Sequence, residues 1–277
     1  MTGVALLSSV RIWEFELQNH GAFDVPPFVG PLLRGVLGRS LFDRLGEAPA
    51  TALFEPGKGA PLFRFDTPIG PSRSLRPGDR WQVRFVTFDL HAAQFFLGAF
   101  QHACTEGLGK QRARQEVEGL RLLAHGGGGA PAHPDEGAPL VEARAEELLE
   151  AGAIVVRLAS PAELKRGGQR VRQPGLADVL RATSHRAREL KLDTSGLPRF
   201  EDACEELAGT MKTWSHARWS EAQGREYGLL GAVGGLACRP TPSQARWLAL
   251  AEVLGIGAST AYGMGVVRAE PLGAAPS

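Results

Sequence analysis

A chain of 277 residues is long enough for one large hydrophobic core or two of ordinary size. Hydrophobic residues make up 43% and charged residues 22%, the balance of a soluble globular protein, and no apolar run reaches the ~18 residues of a membrane-spanning helix. The net charge of +1 excludes a uniformly basic chain that coats nucleic acid, but it says nothing of where the charges sit.

The opening residues, MTGVALLSSVRIWEF, lack a basic start and a cleavage site, so no secretory leader is expected. Arg11–Leu17 reads as a strand, with Trp13, Phe15 and Leu17 alternating with Glu14 and Glu16. After Pro26 and Pro27, Leu32, Leu33, Val36, Leu37, Leu41 and Leu45 recur at helical spacing, within a candidate catalytic helix at 28–46. Short strands are expected around Leu53–Phe54 and Leu62–Phe65, and a turn at Pro77-Gly78-Asp79. Trp81–Leu90 is the clearest strand, with Trp81, Val83 and Phe85 on one face. A helix fits His91–Glu106, its core face formed by Phe95, Phe96, Ala99 and Cys104, and a strand fits Val117–Leu123. The order β-α-β-β-α-β is that of a ferredoxin-like domain.

Four glycines and two prolines between His125 and Pro134 cannot continue a helix or a strand. They predict a linker or hairpin region at 126–150 between an N-terminal domain at 1–125 and a C-terminal domain at 151–277. In the second half, Ile154–Leu158 reads as a strand, and Leu176–Leu190 and Phe200–Met211 as helices. Trp214–Trp219 alternates, Leu229–Leu236 is a glycine-broken strand, Gln244–Leu254 an amphipathic helix, and Gly263–Ala269 a terminal strand. The simplest fold class is α+β: two tandem ferredoxin-like (RRM-like) domains, each an antiparallel sheet with helices on one face.

The small net charge is a cancellation. Asp135, Glu136, Glu142, Glu146, Glu147 and Glu150 make one segment acidic. The stretch Arg157–Lys191 is basic, and its run Lys165-Arg166-Gly167-Gly168-Gln169-Arg170-Val171-Arg172 has the charge to track a phosphate backbone, or simply to be solvated. Cys104, Cys204 and Cys238 lie far apart with no CxxC pair, which argues against a disulfide framework or a structural zinc site and fits a reducing cytoplasm.

The most specific local feature is the glycine-rich loop 255–265, Gly255-Ile256-Gly257-Ala258-Ser259-Thr260-Ala261-Tyr262-Gly263-Met264-Gly265. Glycines permit positive φ and close approach, and consecutive N–H groups can cradle an anion. A dinucleotide-binding fingerprint would follow a strand and open a helix; here the order is reversed. The plainer alternative is a tight helix-to-strand turn.

This loop resembles the glycine-rich loop of the RAMP superfamily, particularly the Cas6 endoribonucleases that process precursor CRISPR RNA. Leu33-Arg34-Gly35-Val36-Leu37-Gly38 is similar to the opening of that family's first helix. Leu53-Phe54-Glu55, Pro61-Leu62-Phe63 and Leu75-Arg76-Pro77-Gly78-Asp79 follow its layout. Ser160-Pro161-Ala162-Glu163-Leu164-Lys165 resembles the segment that opens its second domain, and Arg218-Trp219-Ser220 a late strand. Each motif is short; their order spans nearly the whole chain.

The resemblance implies metal-independent cleavage within the CRISPR repeat, with no cofactor. The 2′-hydroxyl attacks the adjacent phosphate and leaves a 2′,3′-cyclic phosphate, which needs a base, an acid and donors for the phosphorane charge. The family often reads Gly-His-Ala-Leu on its first helix; here Gly38-Arg39-Ser40-Leu41 stands instead. Arginine stays protonated and is a poor base. The catalytic candidates are therefore His20, His216, Arg39 and Ser40. For RNA binding the candidates are Arg34, Lys165, Arg166, Arg170, Arg172 and Arg218, with Gly255, Gly257, Ser259, Thr260, Tyr262, Gly263 and Gly265 of the loop. Ala258 stands where the family often has a basic residue. The implied partners are CRISPR repeat RNA and other Cas subunits, with no membrane, in a cytoplasmic monomer or homodimer. The alternative is a non-catalytic RAMP subunit that binds RNA within an effector complex.

Overall fold

The computed structural model describes residues 9–54, 60–123, 137–200, 205–220 and 225–273. The first half runs β1 (Arg11–Asn19), β2 (Phe23–Val25), α1 (Gly30–Leu45), α2 (Glu47–Phe54), β3 (Phe63–Asp66), β4 (Arg73–Leu75), β5 (Arg80–Thr87), α3 (Leu90–Glu106) and β6 (Gln115–Leu123). Its sheet has the order β3-β5-β1-β6 with antiparallel neighbours, and β2 pairs with β4 beside it. The second half runs α4 (Gly137–Glu150), β7 (Ile154–Ala162), β8 (Lys165–Arg166), β9 (Gln169–Arg170), α5 (Leu176–Glu189), β10 (Glu205–Ser220), β11 (Arg225–Arg239), α6 (Pro242–Leu254), a 3-10 turn at Thr260–Tyr262, and β12 (Val267–Pro271). Its sheet order, β10-β11-β7-β12, repeats the first connectivity. The chain therefore contains the two tandem ferredoxin-like units that its periodicity predicts.

Alternation builds the first sheet. Phe15 and Leu17 of β1 pack with Leu33, Leu37 and Leu41 of α1 and with Phe96 and Phe100 of α3. Glu14 and Glu16 face the other way, where Arg121 meets both and Arg84 meets Glu14 at 2.9 Å. Asp89 starts α3 by accepting the N–H of Ala92 at 2.7 Å. In α6, Thr241 and Gln244 form a capping box, and Pro242 occupies the first turn, where it lacks no needed donor.

Five expectations are corrected. Leu53 and Phe54 end helix α2 rather than forming a strand. Ala50 and Phe54, four apart, are buried, and Phe54 stacks on Phe63. Phe200–Met211 is not helical where described: from Glu205 it is strand β10, paired with β11 up to Ser220. Its helical spacing is overridden by a long partner strand. Residues 137–150 of the expected linker form α4. Val141, Ala145 and Leu148 bury one face, while Arg144 joins Glu252 of α6 at 2.9 Å and Glu142 joins Arg246 at 2.7 Å. The terminal strand starts at Val267, not Gly263. Phe95, placed in the core from its spacing, is 41% exposed on α3.

The two halves share a packed boundary. Val86 and Phe88, from the end of β5, enter the core of the second unit. Phe28, Met264 and Leu229 form a small separate cluster with Ile69 and Trp214. The Ile69 N–H donates to Ala159 O at 2.8 Å. Arg64 of β3 donates to Val253 O at 3.0 Å and Glu252 O at 2.7 Å, at the C-terminal end of α6. A cation is favoured there because the last helix carbonyls lack intrahelical partners.

Cys104 and Cys238 are buried. Burial pushes the Cys104 thiol up to about 12, so little reactive thiolate forms near neutrality. Iodoacetamide at pH 8 is expected to leave both unlabelled in the native protein and to modify both in guanidinium, as read by peptide mass mapping. Cys204 lies outside the described residues.

Candidate nucleic-acid interface

The glycine-rich loop is held by close backbone approaches to its own chain. Gly257 and Gly265 have φ of 76° and 74°. A Cβ on Gly257 would overlap Glu163 O, and one on Gly265 would overlap Ile256 O. Gly255 ends α6, and Gly263 closes the 3-10 turn by donating to Thr260 O. Donors expected to face an anion are engaged inside the protein: Ile256 N on Gly265 O, Ala258 N on Glu163 O and Gly265 N on Pro161 O. The need for glycine here is thus largely internal packing.

One wall of the loop, Gly257–Thr260, borders a cleft of about 820 Å³. A second wall is Lys165 and Arg166 of the β8–β9 hairpin. A third is the face of α5 bearing Asp178, Arg181, His185 and Arg188, which recur every three or four residues. Pro61 and Phe200 complete it. Lysines and arginines outnumber carboxylates along the lining, and the carboxylates are engaged. Asp178 receives Arg166 at 2.6 Å and Arg181 at 3.7 Å, and Glu163 receives Arg170 at 2.8 Å. Glu189 lies 3.6 Å from His185. Lys165 and Arg172 are exposed and make no ion pair among the described residues.

The other expected residues distribute as follows. Arg34 lies between two rings, its guanidinium carbon 4.2 Å from the centroids of both Phe54 and Tyr262. Such contacts contribute about 0.5–2 kcal/mol each, and they turn one face of Tyr262 towards protein rather than a base. Arg39 is exposed on α1. Ser40 is only 4% exposed and follows Leu37 towards the core, so it is removed from the surface candidates. His20 hydrogen-bonds Glu116 at 3.0 Å beside β6. The loop packs on β3 at the opposite edge of that sheet, so His20 does not join it.

His216 stacks on Trp214 with ring centroids 5.6 Å apart and planes at 17°. Trp214 meets Phe28 edge-on at 5.3 Å and packs with Met264 of the loop, which brings His216 to that side of it. Arg218 lies on β10 opposite Tyr227, with its side chain outside the described part of the chain, as are His125 and His133. His185, which the sequence places among arginines as a candidate contact to RNA phosphate, lines the cleft. So does Arg186, whose burial no pattern of charge in the sequence could announce. Among the described residues, no three His, Cys, Asp or Glu side chains group as metal ligands, and no helix is long and apolar enough to cross a membrane.

Two antiparallel βαββαβ units in tandem, with a glycine-rich loop packed against β3 of the first, define the fold. Residues 156–267 match the family described as CRISPR-associated endoribonuclease Cas6, a segment that holds the loop, the basic hairpin and α5. The motif resemblance is thereby borne out in the second half of the chain. No curated protein sequence matches this one. A solved Cas6 product complex is 19% identical, with a TM-score of 0.55 over 95% of this chain and 99% of its own. A Cas6-related protein from Pyrococcus furiosus is 10% identical, with a TM-score of 0.53 over 94% of this chain and 98% of its own. A chain of a partial Cas6-RT-Cas1–Cas2 complex is 13% identical, with a TM-score of 0.60 over 97% of this chain and 47% of its own.

Proposed function

We propose that this chain binds the repeat portion of precursor CRISPR RNA and cleaves it, with the 2′-hydroxyl as nucleophile. The observation that carries the reading is the basic cleft formed by hairpin, α5 and glycine-rich loop within the segment that carries the Cas6 signature. Single-stranded RNA is held by cationic grooves and ring surfaces, and Lys165, Arg172, Arg181 and Arg188 provide exposed cations on or near this cleft. Of the candidates for acid–base work, His216 flanks the loop on its Met264 side and His185 on its cleft side. Histidine suits the role because its ordinary pKa lies near neutrality. We assign the role to His216, whose ring is oriented by Trp214.

The test is incubation with repeat RNA in EDTA. A discrete cut ending in a 2′,3′-cyclic phosphate, lost when the cleavage-site 2′-hydroxyl is replaced by deoxy, supports the proposal. Binding without a cut overturns it. His216→Ala is expected to slow cleavage by about 10²–10⁴ while affinity is kept. Loss of cleavage in His185→Ala alone would transfer the role.

The second reading, a non-catalytic RNA-binding subunit of an effector complex, draws on Arg39 at the family's histidine position and on the burial of Ser40. Both readings share the cleft. Lys165→Glu combined with Arg172→Glu is therefore expected to weaken RNA binding at least tenfold. It should also make the plot of log affinity against log salt shallower by about 0.7 for each phosphate no longer neutralised. Unchanged affinity would place the RNA on another surface.

A further inference from the structure

Arg186 is out of keeping with its surroundings. It sits on α5 among Val179, Thr183 and Ala187, and is only 2% exposed. Its Nη2 donates to Pro61 O at 3.1 Å, and its guanidinium lies 5.3 Å from the Phe88 ring centroid. Its Nε has no hydrogen-bond partner, and no carboxylate forms an ion pair with it among the described residues. Arg64 nearby is the useful contrast. That guanidinium is also buried, but two carbonyls and Asp66 receive it. Burial lowers the pKa of Arg186 to about 10; the Glu189 carboxylate counters this in part, and the positive charge of Arg64 adds to the lowering. A buried cation that no carboxylate contacts directly is unfavourable, and an anionic ligand would supply the missing partner.

The position of Arg186 is what gives this a direction. It lines the cleft described above together with the exposed cations Lys165, Arg181 and Arg188 and with Ser259 and Thr260 of the loop. A guanidinium presents a planar fork of donors matched to two oxygens of a phosphate. The cleft volume, about 820 Å³, exceeds what a phosphate needs and leaves room for an attached nucleotide against Phe200.

We propose that Arg186 anchors a phosphate-binding subsite at the floor of this cleft, and that the phosphate belongs to a bound RNA strand. The second clause rests on the RNA-binding reading; the subsite itself does not. Asp178, Glu163 and Glu189 also line the cleft; ion pairs with Arg166 and Arg170 keep Asp178 and Glu163 from opposing the anion in full, while Glu189 lies 3.6 Å from His185.

The test begins with inorganic phosphate against chloride at equal ionic strength. The wild-type protein is expected to show a saturable rise in melting temperature with phosphate, because a ligand that binds only the folded state stabilises it. Calorimetric titration should give a single site. Arg186→Met should abolish both signals, and Arg186→Lys should restore part of the affinity. No saturable response in the wild type, or an equal one in Arg186→Met, overturns the subsite. Should Arg186→Met fail to fold, Arg188→Gln serves instead. It changes an exposed residue of the same wall and is expected to weaken phosphate several-fold; an unchanged affinity there counts against the subsite.

The source of the phosphate is read by competition. Phosphate should displace repeat RNA from the wild type more than chloride does at the same ionic strength, and Arg186→Lys should reduce the difference. Phosphate that binds at Arg186 without displacing RNA overturns the RNA assignment and identifies a free phosphate or mononucleotide site. Absence of any RNA binding, with phosphate binding intact, overturns the functional reading alone.

Discussion

Arg64→Met is expected to destabilise the protein by about 3–5 kcal/mol, the cost of breaking a buried charge pair from one side. Arg64 is 1% exposed and spans the boundary between the units. Removing its guanidinium leaves Glu252 O and Val253 O at the end of α6 without their donor, each a buried polar group that water does not reach. It also takes one of two cations from Asp66, which Arg268 holds at 2.6 Å and Arg64 at 3.4 Å. Methionine fills the volume of the aliphatic stem, so the loss reports on the charge and its hydrogen bonds rather than on a cavity. Arg80→Met is the control. Its pair with Glu118 is 71% exposed on the arginine side, where solvent screens the charges, so the variant should unfold close to the wild-type midpoint. Urea denaturation of the two variants beside the wild type checks the contrast; equal midpoints would show that the boundary does not depend on Arg64.

The same network sets a pH dependence. Burial works to raise the Asp66 pKa, but Arg268 and Arg64 outweigh it and hold the carboxyl below its ordinary value. A depressed carboxylate contributes stability that is present above the unfolded pKa of about 4 and is lost as pH falls through the lower folded value. The wild type should therefore lose stability on acidification below about pH 4, and Asp66→Asn should lose less over that interval because part of the contribution is already gone.

Periodicity reveals a core but not its partners. Alternation at Trp13, Phe15 and Leu17 and helical spacing from Leu32 to Leu45 suffice for the first unit, because each pattern has one solution when a single face is buried. The spacing of Phe200, Leu207 and Met211 also satisfies a helix, yet β11 offers a strand fifteen residues long to pair with, and that pairing decides. Acidic residues 142–150 suggest a solvated linker until α6 is seen to carry Arg246 opposite Glu142, with Arg144 returning to Glu252. The candidate site divides in the same way. Lys165 and Arg166 are legible because a basic run needs no tertiary information. Ser40 is lost from the surface because helical phase alone does not separate a helix facing both a sheet and a neighbouring helix from one facing a sheet only. Arg64 and Arg186 are invisible because arginine is ordinarily exposed, and only the docking of one unit on the other buries them.

Gly265→Ala is expected to cost 3 kcal/mol or more, whereas Gly35→Ala is expected to stabilise by about 0.4–1 kcal/mol. Both substitutions add one methyl group, so the difference isolates what each backbone position demands. At Gly35, inside α1, a Cβ meets nothing within 4 Å, and alanine reduces the freedom of the unfolded chain. At Gly265, φ is 74°, and the Cβ would overlap the carbonyl oxygen of Ile256. Neither partner can yield independently. Gly265 N donates to Pro161 O at 2.8 Å and Gly265 O accepts from Ile256 N at 2.9 Å, so moving one residue strains β7 and the exit of α6 together. The displaced segment carries Gly257–Thr260, the wall of the cleft, and Tyr262, which covers Arg34. RNA affinity should therefore fall with stability in Gly265→Ala even at temperatures where the protein remains folded, and stay at the wild-type level in Gly35→Ala. A Gly265→Ala protein with undiminished stability would show that the loop can open at this point, and the close approach between Gly265 and Ile256 would then not be what holds the loop against β7 and the exit of α6.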